Sequence, residues 1–294
     1  MHIVNLLQQA VNALQLGSSY ALIAVGYTMV YGVLRFINFA HADIFMVGAY
    51  IGYFAFLKLK APFPVCLLLA MLGCGLLAVT IERIAYRPLR TAPRLSVLIT
   101  AIGVSLALEH GTRATIGPEF RAYPAILPRT TFQIGGVYFT VALFGVLVTS
   151  LVLMAILNYI VSRTLIGKAM RAVSWDKEVA ALMGININRI ITYTFAIGAA
   201  AAGAAGLMWG LVYPMIDPYM GLMPGIKAFV SAVVGGIGSV PGAVVGGFIL
   251  GAVETATAAF LPSMYRDALA FGVLALVLVF RPTGMFGIGT VEKV

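Results

Sequence analysis

Charged side chains are scarce in this chain: Asp, Glu, Lys and Arg make up 10% of its 294 residues, against about a quarter in a water-soluble domain. Such a chain has too little polar surface to cover a globule in water, which excludes a soluble fold. Acids are scarcer still, 10 against 19 bases. The two cysteines, Cys66 and Cys74, fall in one apolar stretch, so a disulfide framework is excluded. Imidazoles are limited to His2, His41 and His110, too few and too scattered for a metal centre. No G-x-x-x-x-G-K-[ST] phosphate loop is present; GGIGSVPG at 235–242 is glycine-rich but has no lysine and lies in an apolar run. The chain lacks the usual means of binding a nucleotide, and no nucleophile–base pair marks an intramembrane enzyme. Residues 1–20 have no basic n-region, and the first apolar stretch runs on as a span, which argues against a cleavable signal peptide.

What is present is apolar. Hydrophobic residues make up 61% of the chain and the mean hydropathy is +1.01. The 32 glycines agree, because lipid-embedded helices pack through small residues. Crossing ~30 Å of hydrocarbon takes about 20 apolar residues, and such stretches run at 9–33, 37–57, 62–82, 95–115, 138–162, 190–213, 225–260 and 267–281. The stretch 225–260 is too long for one crossing and is interrupted by Gly235, Gly236, Gly238, Pro241 and Gly242, so its middle is not regular helix. It reads as two short helices meeting at a bend, either two crossings or a re-entrant hairpin plus one span. The fold class is therefore all-α: a polytopic membrane bundle of eight or nine segments, one transmembrane domain over 1–294.

The net charge of +9 would suggest nucleic acid in a soluble protein. Here the bases cluster in short loops between spans, which is a topology signal and gives no reason to expect nucleic acid. Loop 83–94 carries Arg83, Arg87, Arg90 and Arg94 with no acid, and loop 163–189 carries Arg163, Lys168, Arg171, Lys177 and Arg189 against Asp176 and Glu178. Both loops are expected on the cytoplasmic side. The first 34 residues hold no Lys or Arg, which suits an outer N-terminus, and the tail after Arg281 then falls inside. The opposite loops are poorer in charge, with Lys58 and Lys60, Arg121 and Arg129, and Asp217 alone in 214–223.

Loop 163–189 contains its own helix signals. Ser174 suits an N-cap, Asp176 the first turn and Gly184 the C′ position, which predicts a helix over Trp175–Met183. Trp175, Val179, Leu182 and Met183 then form one apolar stripe. So short a helix is not stable alone in water and must pack on the membrane surface, its own bundle or a soluble partner. One reading is an interfacial link between two spans; the other is a docking helix for a cytoplasmic subunit.

The spacing Glu178-x-Ala180-Ala181-x-x-Gly184 resembles the coupling segment of bacterial ABC-importer permeases, where a cytoplasmic helix seats in a cleft of the ATPase. LGSSYALIAVGYTMVYGVLRFINFAHADIFMVGAYIG at 16–52, FAIGAAAAGAAGLMWG at 195–210 and GIKAFVSAVVGGIGSVPGAVVGGFILG at 225–251 resemble the LivH type of permease from branched-chain amino-acid importers, in the same block order. One departure is that Ala42-Asp43 stands where the family often has Gly-Glu. The resemblance implies a bacterial inner-membrane subunit that works with a second, non-identical permease and a periplasmic binding protein. It also implies two cytoplasmic ATPases that hold the ATP and magnesium, so this chain itself carries no cofactor. It implies a coupling role for Trp175, Asp176, Glu178, Val179, Ala181, Leu182 and Gly184, and leucine, isoleucine and valine as substrates. Related permeases serve other amino acids, amides or urea. A channel or secondary carrier for small solutes would use the broken helices without a docking helix.

Ionisable and polar groups inside spans are path candidates. Asn38, His41 and Asp43 fall together; if helical, Asn38 and His41 share a face and either line a passage for a zwitterion or cap a broken helix. Glu254 lies mid-span and either faces the path or pairs with a charge on a neighbouring span. The break at Gly235, Gly238 and Pro241 is expected near the path or its gate, since non-helical backbone at membrane depth needs protein or water around it. Glu109 and His110 with Arg113 read as a snorkelling cluster at a span end, and Glu82 beside Arg83 reads as interfacial. Gly198, Ala202 and Gly206, and Ala243, Gly247 and Gly251, form small-residue faces that serve bundle packing or a second permease subunit.

Overall fold

The computed structural model describes residues 2–90, 92–128 and 130–287; Arg129 and the side chain of Arg94, two of the loop charges named above, lie outside that description. Among the described residues the chain forms α1 (His2–Leu34), α2 (His41–Leu59), α3 (Phe63–Ile81), a π turn (Glu82–Tyr86) and a 3₁₀ turn (Arg87–Leu89). Next come α4 (Arg94–Ile116), β1 (Arg121–Ala122), β2 (Thr131–Ile134), β3 (Val137–Thr140) and α5 (Val141–Arg163). They are followed by α6 (Leu165–Trp175), α7 (Lys177–Leu182), α8 (Ile187–Val212), β4 (Met215–Ile216), α9 (Leu222–Gly235), α10 (Val240–Phe260) and α11 (Tyr265–Phe280). Among the described residues seven helices are long and apolar enough to cross a membrane. Helices α9 and α11 are shorter, about 21 and 24 Å at 1.5 Å per residue. The expected bend in 225–260 is the turn between α9 and α10. The all-α bundle of eight or nine segments thus consists of seven long helices and two short ones.

The core is built on backbone contact. Helix α1 lies antiparallel to α10: a Cβ at Gly247 would sit 2.4 Å from the Cα of Ala21, and one at Gly251 would sit 2.4 Å from the Cα of Gly17. Helix α8 lies equally close to α2, where a Cβ at Gly206 would fall 2.0 Å from the carbonyl oxygen of Phe45 and one at Gly48 would fall 2.4 Å from the Cα of Gly203. Both small-residue faces named above are therefore used within this chain and not at a second subunit. With lipid as apolar as leucine, helix association rests on such dispersion contacts. Helices α3, α4 and α5 are peripheral, with Leu72, Leu76, Ile99 and Val152 turned outward.

Three connections depart from simple loops. Arg35 ends α1 in the left-handed region, φ 56°, and the chain folds back so that His41, the first residue of α2, lies against Gly26. Gly26 is eight residues inside α1, roughly 12 Å from its end, so segment 35–40 runs back into the bundle. At the opposite end, β2 and β3 form a hairpin with Ile134 opposite Val137. Its two turn residues, Gly135 (φ 60°) and Gly136 (φ 88°), match a type I′ turn. Gln8 of α1 holds the hairpin by accepting from Tyr138 N–H at 2.8 Å and donating to Tyr138 C=O at 3.1 Å. Strands β1 and β4 pair antiparallel and join the α4–α5 and α8–α9 connections. Each strand is only two to four residues long, too short to show a period-two pattern in the sequence.

The α2–α8 seam yields a test. Gly206→Ala should destabilise the detergent-solubilised protein by roughly 1–3 kcal/mol, the usual cost of overpacking, because a backbone must move. Gly103→Ala, where nothing lies within 4 Å of the new Cβ, should leave the thermal midpoint unchanged or raised. Equal midpoints for the two variants would contradict the seam.

Candidate functional site

The basic loop folds into two helices where one was expected. Thr164 caps α6 by accepting from Gly167 N–H at 3.2 Å, and buried Met170 and Val173 fasten this helix to the bundle. Helix α6 runs through Ser174 to Trp175, so Ser174 is no N-cap and the helix Trp175–Met183 does not form as such. The break falls at Asp176, whose extended backbone (φ −151°) ends α6 and whose carboxylate accepts from Glu178 N–H at 2.8 Å and Val179 N–H at 3.0 Å. A carboxylate both caps the free N–H groups and complements the helix dipole, which a serine two residues earlier does only in part.

The predicted end does form. Gly184 adopts φ 80°, Ile185 N–H reaches Ala180 C=O at 3.1 Å and Gly184 N–H reaches Ala181 C=O at 3.0 Å, the paired bonds of a Schellman cap. Between these caps only Ala180 is buried. Trp175 and Leu182 are each 87% exposed, Met183 78% and Val179 54%, and Glu178 and Ala181 are exposed beside them. The element is thus positioned by polar caps and one alanine, and its apolar stripe is presented outward.

The polar group at 38–43 does not form one strip. Asn38 precedes α2 and accepts from Tyr86 O–H at 2.6 Å; a turn from Asn38 C=O to His41 N–H at 3.1 Å replaces the helical face expected for Asn38 and His41. His41 is buried, with its ring 4.6 Å from that of Tyr27, in space left by Gly26. Asp43 points a third way, toward Ser105 and Glu109 of α4. Glu109 is buried, so it does not snorkel; Arg113 instead donates to Tyr219 O–H at 3.0 Å. Glu82 is fully buried as well: the π turn aims it inward, where it pairs with Arg90 and accepts from Thr192 O–H at 2.9 Å. Glu82 therefore does not reach solvent as a snorkelling residue would.

Glu254 pairs with a charge on a neighbouring helix, one of the two arrangements its mid-span position allows. It accepts from Tyr20 O–H at 3.0 Å and meets Lys227 Nζ at 2.6 Å, and Lys227 also reaches Asp267 at 2.8 Å. The network joins α1, α9, α10 and α11. Glu254 also lines a cavity of about 450 Å³ with Gln9, Asn12, Gln15 and Arg266. Lys227 and the amide face of α1 escaped the sequence reading, although a lone lysine in GIKAFV is itself the signal.

The glycine break is a tight turn at the bundle end that carries α6. Gly236 and Gly238 have φ 104° and 97°, Ser239 caps α10 through Gly242 N–H at 3.2 Å, and Pro241 lies in its first turn. A Cβ on Gly235 would fall 1.9 Å from Gly242 C=O. The last carbonyls of α9 accept from Met285 and Phe286 N–H at 3.0 and 2.9 Å. Gly238 and Pro241 are exposed, and the turn shares a small crevice with Gly32 and Ser174. At this same end Arg35, Arg90 and Lys177 line one cavity of about 570 Å³, so loops 83–94 and 163–189 do lie together.

Residues 9–278 match the family described as branched-chain amino acid transport system / permease component. The high-affinity branched-chain amino acid transport system permease protein BraD of Pseudomonas aeruginosa is 42% identical over 304 residues, covering 99% of each chain. The corresponding LivH proteins of Salmonella typhimurium and Escherichia coli K12 are each 42% identical over 301 residues, covering 98% of this chain and 97% of theirs. No solved structure matches. On the family match and on full-length identity, this chain belongs to the branched-chain amino acid transport system permease family.

Proposed function

We propose that this chain is the membrane-spanning permease subunit of an ATP-driven importer that moves branched-chain or other hydrophobic amino acids into a bacterial cell. The observation that carries the reading is α7, a helix with a cap at each end whose apolar stripe faces outward from the basic end of the bundle. Its occupant is the cleft of a separate ATPase subunit. The exposed stripe supplies the contact area, and Asp176 and Gly184 keep a six-residue helix formed between docking events. This chain offers no phosphate loop, so ATP and magnesium belong to two such partners. A second, non-identical permease and a periplasmic binding protein complete the assembly.

The convergence of two arginine- and lysine-rich loops at the α6–α7 end supports a cytoplasmic location for that end. The N-terminus, the β2–β3 hairpin and the amide-lined cavity are then periplasmic, and the C-terminus cytoplasmic. In this orientation the cavity around Glu254 opens toward the binding protein. Gln9, Asn12 and Gln15 offer neutral hydrogen bonds, and Glu254 and Arg266 offer charges of both signs, as a zwitterion needs. We assign the outer half of the path to it. Asn38, His41 and Asp43 brace the inward fold of 35–43 from three sides, and the Gly235–Gly238–Pro241 turn is a hinge at the inner gate. The polar lining alone also suits amides or urea, which titration of the binding protein separates from leucine.

Three outcomes follow. Leu182→Cys or Val179→Cys should crosslink to the ATPase subunit and, in cells, resist an impermeant thiol reagent applied outside. Gly184→Val should fray α7, since a left-handed C′ residue with a branched side chain costs at least about 1 kcal/mol, and should weaken both crosslinking and uptake. Uptake that persists in vesicles lacking any ATPase would instead favour a channel or carrier. Glu254→Gln keeps the side-chain volume but removes the charge facing Lys227. Uptake should then drop at least about tenfold, equivalent to 1.4 kcal/mol, with crosslinking at residue 182 preserved; normal uptake would remove this cavity from the path.

A further inference from the structure

The 570 Å³ cavity at the α6–α7 end borders the docking stripe at Trp175 and lies apart from the outer path. It lies between Arg35 and Phe36 of the inward fold, the π turn and the start of α7. Its charges do not balance. The carboxylate of Glu82 is occupied on both oxygens, by Arg90 and by Thr192, and that of Asp176 caps α7. Arg35 and Lys177 remain; among the described residues neither has a carboxylate within ion-pairing distance. The Arg35 guanidinium donates to Ser174 C=O at 3.3 Å. Lys177 is exposed as a whole, yet its amine loses part of its hydration and faces Arg90 and Arg35, and all three effects push its pKa below the ordinary lysine value. Two cations with no carboxylate partner among the described residues, beside a third, call for an anion.

The rest of the lining defines which anion. Phe36, Val97, Ile191 and Phe195 make one side of the lining apolar, with Phe36 its most accessible member, which disfavours a phosphate but accepts an aliphatic group. Glu178 stands at the lining without an ion pair and offers a place for an ammonium group. We propose that this cavity is a product site, in which a free branched-chain amino acid places its carboxylate at Arg35 and Lys177, its ammonium at Glu178 and its side chain against Phe36, Val97 and Ile191. A ligand there bridges the inward fold of 35–36 to the first turn of α7. Occupancy ties the docking helix to the bundle and slows further import when the internal pool is high. The choice of a branched-chain amino acid and the orientation rest on the function proposed above.

The complete transporter, purified and reconstituted with ATP inside the liposomes, tests this. Preloading with leucine should lower the initial uptake rate severalfold against empty liposomes. Ala92→Leu, which narrows the cavity from a lining position, should keep the rate of empty liposomes and lose the inhibition. By calorimetry without the binding protein, leucine should bind the solubilised complex, and Arg35→Asn, which tolerates the left-handed backbone, should abolish that binding. Leucine failing to bind, inorganic phosphate binding in its place, or Ala92→Leu remaining inhibited would each overturn the site. A wrong orientation shows separately, as labelling of Leu182→Cys from outside, a result that calorimetric binding does not affect.

Discussion

Close backbone approach between helices is the interaction on which this structure depends. In lipid there is no water for apolar side chains to escape, so helices are held by the dispersion contacts they make at short range. The α1–α10 and α2–α8 seams meet where Gly26 faces Gly198, and α8 also closes on α3, where a Cβ at Gly203 would lie 2.6 Å from Ala70 C=O. Every site described above hangs from these seams. The inward fold of 35–40 exists because Gly26 leaves room for His41, and the Glu254 cavity exists because α10 is pinned to α1 a turn below it.

Polar groups inside such a bundle cannot be left to solvent, and they tie its elements in a way apolar packing does not. Lys227, Glu254, Asp267 and Tyr20 join four helices near one end. Glu82, Arg90 and Thr192 join the π turn to α8 near the other. Tyr86 steadies the inward fold through Asn38. Helix α7 is built on the opposite plan: few buried atoms, two polar caps and a free apolar stripe. The core is rigid through contact, and the docking element keeps its shape through hydrogen bonds that survive when a partner leaves.

Much of this was legible in the residues. Long apolar stretches located the spans, the glycines and proline of 235–242 located the turn, and Gly184 marked a helix end because a positive φ suits few other residues. The misreadings share a cause. Asn38 and His41 were placed on one helical face by spacing, but spacing presumes a continuous helix and the helix begins only at His41. Glu82 and Glu109 sit near charges in sequence, yet the π turn and the packing of α4 on α2 direct them inward. Lys227 and Glu254 are separated along the chain by a turn and a helix, and no local pattern pairs them. Ser174 and Asp176 both suit an N-cap, and local preference alone does not choose between them.

By itself, then, the sequence determined the solvent, the number of segments, the basic end and the helix-stop signals, because hydropathy, charge and backbone restriction act over a few neighbouring residues. Only the tertiary structure decided which small-residue faces meet, which buried charges pair and where, among the described residues, two cations are left without a carboxylate. Those outcomes depend on distances between residues far apart in the chain, which are set by how closely the helices approach.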